Sequence, residues 1–156
     1  MASMPALRRI AADGIVASDD GFSALSESQT LEYLHGATCP NVCGPGFCAL
    51  SAMPRLRGLT LDCPNLDPDA FATLPSFPAL TELMASNLTD DGVRVVARCE
   101  KLQRLWLLGG STITPDGFSV LARMDSLREL TVGNLPNITS AVIAALPSHI
   151  HVSYWV

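Results

Sequence analysis

A segment reading Leu-x-x-Leu-x-Leu, followed by Gly-Phe-x-x-Leu, returns every two dozen residues from the seventh residue of the chain to its end. A repeat of that length cannot bury an apolar face alone, so successive copies have to stack on one another. The opening residues are Leu7, Leu31, Leu56, Leu80, Leu102 and Leu127, and Val152 is expected to open a truncated seventh unit. Their spacings are 24, 25, 24, 22, 25 and 25 residues. The 156 residues therefore read as one elongated repeat domain over 1–156.

Superposing the units gives a second apolar position three residues on, at Ile10, Leu34, Leu59, Leu83, Leu105, Leu130 and Trp155. A looser third one, at plus five, holds Ala12, Gly36, Leu61, Ala85, Leu107 and Val132. That pattern suits a short strand running into a buried loop. An apolar loop residue follows, at Val16, Val42, Leu66, Leu88, Ile113 and Ile138. Helix starts come next: Ser18, Asp67, Thr89, Thr114 and Thr139 are of the type that caps orphan helix N–H groups, and Pro68 and Pro115 suit a first helical position. The pairs Phe22/Leu25, Phe47/Leu50, Phe71/Leu74, Val93/Val96, Phe118/Leu121 and Ile143/Leu146 stand three apart and so share a helical face, expected to point inward. Gly21, Gly46, Gly92 and Gly117 at the helix starts predict close packing there. A strand, a helical crossover and another strand make a parallel pair of right hand. Seven strands at about 4.8 Å would give a sheet on the order of 30 Å long.

These residues resemble the leucine-rich repeat family over nearly the whole chain, most clearly where residues 102–121 read LQRLWLLGGSTITPDGFSVL. The pattern is closest to the cysteine-containing subclass of F-box/leucine-rich repeat proteins and related bacterial arrays. There a Cys or Asn follows each strand; here Cys39 holds that place, Cys63 and Asn87 lie one residue early, and Gly110 and Leu135 depart from it. The resemblance implies an α/β right-handed solenoid curved into a horseshoe, with a parallel sheet on the concave face and short helices on the convex one. It also implies a protein-binding role, with the substrate receptor of a ubiquitin ligase as one alternative.

A net charge of −5 argues against general nucleic-acid binding, which needs a basic stripe. The longest apolar runs are too short to span a bilayer. Arg8, Arg9 and Asp13 occupy the place of a signal peptide's apolar core, so a cytoplasmic location is expected. Five cysteines in such a chain read as thiols. His35, Cys39, Cys43 and Cys48 have zinc-like spacing, but on the repeat they fall on the strand, after it, at the turn and on the helix, so no metal or other cofactor is expected. The sequons at Asn87 and Asn137 place their threonines at helix caps. The three histidines lie far apart and form no triad with Cys, Ser or Asp, so an enzyme is not expected.

Function is then expected on the open sheet face, which alternation assigns to plus two and plus four. Plus two gives Arg9, Tyr33, Gly58, Glu82, Arg104, Glu129 and Tyr154; plus four gives Ala11, His35, Thr60, Met84, Trp106, Thr131 and Val156. Trp106 is the anchor of this reading, set between Met84 and Thr131, with Arg104 beside it and Glu82 and Glu129 flanking Arg104. An apolar centre ringed by charge has the make-up of a protein-binding hot spot. Tyr33 and His35 form a second contact. Met4, placed like Met53 and Phe77, would close an earlier unit, and the last strand carries no polar cap. The alternatives are therefore a fragment of a longer array, or ends covered by a partner or a second copy in a structural assembly.

Overall fold

The computed structural model describes residues 7–12, 17–110 and 112–155. Strands and helices alternate along the chain: β1 Arg9–Ala12, α1 Asp19–Leu25, β2 Tyr33–Thr38, α2 Pro45–Leu50, β3 Gly58–Asp62, α3 Pro68–Phe71, β4 Glu82–Ser86, α4 Asp90–Val96, β5 Arg104–Leu108, α5 Pro115–Ser119, β6 Glu129–Gly133, α6 Ser140–Ala144 and β7 His151–Trp155. Short 3₁₀ turns follow α3 and α5, at Leu74–Ser76 and Val120–Arg123. All seven strands form one parallel sheet in the order β1-β2-β3-β4-β5-β6-β7. The arrangement is compatible with a solenoid.

The apolar rows occupy the space between sheet and helices. Leu31, Leu56, Leu80, Leu102 and Leu127 are buried, as are Leu34, Leu59, Leu83, Leu105 and Leu130. From the helical side come Phe22, Phe47, Leu50, Leu74, Val93, Val96, Phe118 and Leu121. Ile143 and Leu146 are half-buried, because α6 has a helical neighbour on one side only. Leu7 is 48% exposed at the β1 edge of the sheet, where an opening leucine was expected inside. Val42 and Ile113 lie inside, and Leu66, Leu88 and Ile138 pack against the core from its margin. Met4, Val16 and Val156 lie outside the described residues.

Each expected cap is in place. Ser18, Thr89, Thr114 and Thr139 hydroxyls accept from backbone N–H groups of their first helical turn, and the Asp67 carboxylate accepts from Asp69 N. The second unit has Gly44 at that position and Pro45 behind it, with no side-chain cap of its own. Its N–H groups are bonded from the preceding unit instead. Asp19 Oδ1 accepts from Gly46 N at 2.8 Å and Gly44 N at 3.2 Å, and Asp19 Oδ2 accepts from Cys43 N at 3.2 Å. Asp90 does the same for the fifth unit, accepting from Thr114 N at 2.8 Å and Thr114 Oγ1 at 2.7 Å. These bonds explain two glycines: a Cβ on Gly46 would lie 2.5 Å from the Asp19 backbone, and one on Gly117 would collide with the Asp90 carboxylate. Gly21 and Gly92 meet only side chains, so close backbone packing does not account for them.

Two registers differ from those expected. The seventh unit starts three residues earlier: β6 pairs with β7 through Glu129↔His151, Leu130↔Val152, Thr131↔Ser153, Val132↔Tyr154 and Gly133↔Trp155. Val152 is thus the counterpart of Leu130, not of Leu127, and His149 stands at the opening position. Tyr154 falls in the inward row and Trp155 on the open face, the reverse of their expected sides, since an offset by an odd number of residues flips every strand side chain. The second correction lies in β2, where the register shifts between His35 and Thr38. That irregularity puts Cys39, whose N–H donates to Asp62 O, in the place of Asn87 and Gly109, whose N–H groups donate to Leu108 O and Gly133 O. The residue after the strand is therefore Cys39, Cys63, Asn87, Gly109 and Asn134 in successive units, not Gly110 and Leu135. Asn87, Gly109 and Asn134 have φ of 54°, 66° and 54°, a left-handed turn that Gly and Asn adopt most readily.

Candidate functional site

On the open sheet face the strands set three rows side by side. Glu82, Arg104, Glu129 and His151 form one, Met84, Trp106, Thr131 and Ser153 the next, and Ser86, Leu108, Gly133 and Trp155 the third. Trp106 is half-buried, flanked in register by Met84 and Thr131. The Trp155 ring lies across Gly133, where a Cβ would come within 2.5 Å of Cε2, so the indole packs where no side chain stands. Trp155 remains 51% exposed. Sequence reasoning placed it in the core; a spacing of 22 residues, already present between Leu80 and Leu102, would have given the right register.

Arg104 sits between two carboxylates on neighbouring strands. Its Nη1 lies 3.1 Å from Glu82 Oε1 and its Nε lies 3.3 Å from Glu129 Oε2. Both pairs are partly exposed, so each adds little stability on its own. Their effect is to fix the guanidinium in the row beside Trp106, so that alternating charge runs next to the row of Met84, Trp106 and Thr131.

Tyr33 and His35 lie on the same face three strands away. The rings are stacked, with centroids 5.9 Å apart and planes within 7°. Arg9 covers the outer side of Tyr33, its Cζ 4.8 Å from the ring centroid. Gly58 repeats the role of Gly133, because a Cβ there would collide with the Tyr33 ring. His35 Nδ1 is 2.9 Å from Thr60 Oγ1, while Nε2 is buried with no partner among the described residues. Burial and then the Arg9 charge hold the His35 pKa below its ordinary 6.5, against a smaller opposing pull from Glu82. The structure thus brings together Glu82, Met84, Arg104, Trp106, Glu129 and Thr131, and separately Tyr33 and His35.

The thiols lie behind the sheet or on the helical side. Cys39 and Cys63 are hydrogen-bonded neighbours on adjacent units, and Cys99 donates to Val95 O at 3.9 Å. Burial raises all three, Cys63 and Cys99 to about 12, which keeps them protonated and weakly nucleophilic. Among the described residues no three of His, Cys, Asp or Glu converge on a point where a metal would sit. No described helix is long and apolar enough to cross a membrane. Comparison of the sequence with protein-family models and with curated proteins finds no match to either.

Proposed function

We propose that the chain is a leucine-rich-repeat solenoid of the cysteine-containing kind, and that it works in the cytoplasm as a non-catalytic module binding another protein on its open sheet face. The observation that carries this reading is Trp106, half-exposed on the same sheet face as Met84, Leu108 and Trp155 and bordered by the Glu82–Arg104–Glu129 pairs. Large aromatic rings and Arg at the centre of a patch, with charge at its margin, are the residues on which protein interfaces concentrate their binding energy. A fixed strand array gives such a patch little to order on binding. Affinity capture with the wild-type chain, Trp106→Ala and Arg104→Ala tests it. Both variants should lose the bound protein by about tenfold or more while unfolding at an unchanged urea midpoint. Undiminished capture by folded Trp106→Ala defeats the reading.

A structural role is the second reading, favoured by Tyr154, which stands in the inward row yet is 53% exposed at the β7 edge. If association fails on Tyr154→Ser but survives Trp106→Ala, contacts at that edge carry it.

A further inference from the structure

The third and fourth units meet across a cleft of about 320 Å³. β3 and β4 pair through Gly58↔Glu82, Leu59↔Leu83 and Thr60↔Met84, and β4 and β5 through Ala85↔Leu107 and Ser86↔Leu108. The cleft goes with a small side chain. Ala85 stands in the inward row where the next two units carry buried Leu107 and Val132, so a methyl group occupies the place of a branched chain. Among the described residues, no hydrogen bond joins the turn at 63–66 to the turn at 88–91. That first turn leans the other way, with Asn65 Nδ2 donating to Pro40 O at 2.9 Å and Asp67 N to Cys43 O at 2.7 Å.

The walls are apolar, built from Phe47, Leu59, Phe71, Leu83, Ala85 and Val95. Polar groups enter the lining at Asp62, Ser86, Asn87, Thr89 and Asp91, and no Lys, Arg or His is among the described lining residues. Asp91 is already paired with Arg94 at 2.5 Å. Asp62, half-exposed, accepts a long bond of 3.5 Å from Thr38 Oγ1 and keeps most of its acceptor capacity. Apolar cavities of about 150 Å³ hold a benzene ring, so this one admits a ring together with a short chain. The charge at its mouth favours a cation and opposes an anion.

We propose that the cleft binds a compact aryl-alkylamine, with the ring between Phe47, Leu83 and Val95 and the ammonium on the Asp62 carboxylate. The cleft shares Met84 and Ser86 with the open face, but the residues assigned to the ring and the ammonium are others, so the proposal does not depend on that reading. The probe is 2-phenylethylammonium, compared with 2-phenylethanol and phenylacetate of the same size, followed by backbone amide NMR shifts. The amine should shift Ala85, Asn87 and Leu88, the alcohol should do so about threefold more weakly, and phenylacetate should be weakest. Asp62→Asn should bring the amine down to the alcohol's affinity. Ala85→Leu, which installs the side chain that the fifth unit carries in this row, should raise Tm and weaken the amine about tenfold or more. Absence of amine shifts in the wild type at millimolar concentration, phenylacetate binding as tightly as the amine, or undiminished binding to folded Ala85→Leu each overturns the proposal. Should Ala85→Leu fail to fold, the ligand charge series and Asp62→Asn decide it.

Discussion

The seam between the fourth and fifth units and the seam between the third and fourth belong to one sheet, yet they are joined differently. At the first, Asp90 reaches across to the backbone and hydroxyl of Thr114, as Asp19 reaches from the first unit to the second. At the other, the residue in the same first helical position is Pro68, which starts its own helix well but offers no acceptor to the next unit. Buried leucines line the strand rows on both sides of the comparison, Leu59 and Leu83 at one seam and Leu83 and Leu105 at the other. Sheet formation and lateral cohesion therefore have separate origins here: the first follows from the repeating leucines, the second, at the two seams that have it, from a single carboxylate.

The largest expected effect comes from filling the space that the carboxylate needs. Gly46→Ala would press a methyl group onto the Asp19 backbone and should cost about 1–3 kcal/mol in urea unfolding. Gly92→Ala, at the seam without the carboxylate, meets only the movable Leu88 side chain and should be neutral within about 0.5 kcal/mol. Equal losses at the two would erase the contrast. A smaller loss, about 1–2 kcal/mol, is expected for Asp19→Ala, which strips the second helix start of its acceptors while Pro68→Ala leaves the open seam as it was.

The smallest effect is a pH dependence confined to the carboxylate-bearing seams. Burial alone would raise Asp19, but bonds from Gly46, Cys43 and Gly44 outweigh it and hold its pKa below the ordinary 3.8; the two Thr114 bonds do the same for Asp90. As pH falls, the unfolded chain takes up these protons first. The added stability is therefore complete above a pH of about 3.8 and disappears as the pH drops through the lower folded-state values. Urea midpoints between about pH 6 and pH 3 should fall less steeply in the Asp19→Asn, Asp90→Asn double variant than in the wild type. Identical slopes would remove the carboxylates from the account.

Much of this architecture was legible in the sequence because its determinants are local. Leu59, Leu83 and Leu105 announce their row by spacing alone, and Thr89 and Thr114 announce helix starts by chemistry. The strip around Trp106 followed from alternation once the row was fixed. What stayed hidden were contacts between residues some two dozen positions apart. Nothing near Asp19 in the chain shows that its acceptors serve Gly46, and Asp90 looks like any acidic first-turn residue. The seventh unit was misplaced because its opening residue is His149 and its only aliphatic strand residue, Val152, belongs to the following row. The cleft could not be foreseen from Ala85 alone, since its other walls include Phe47 and Val95 from the helices of two different units.

Every strand in the sheet touches only the strands before and after it in the chain. Such a molecule can lengthen or shorten by duplication or deletion of whole segments without redesign of a shared centre. Drift at Met84 or Trp106 is likewise felt by two flanking segments rather than by the whole, so the exposed surface is free to diversify while the leucine scaffold beneath it is inherited unchanged.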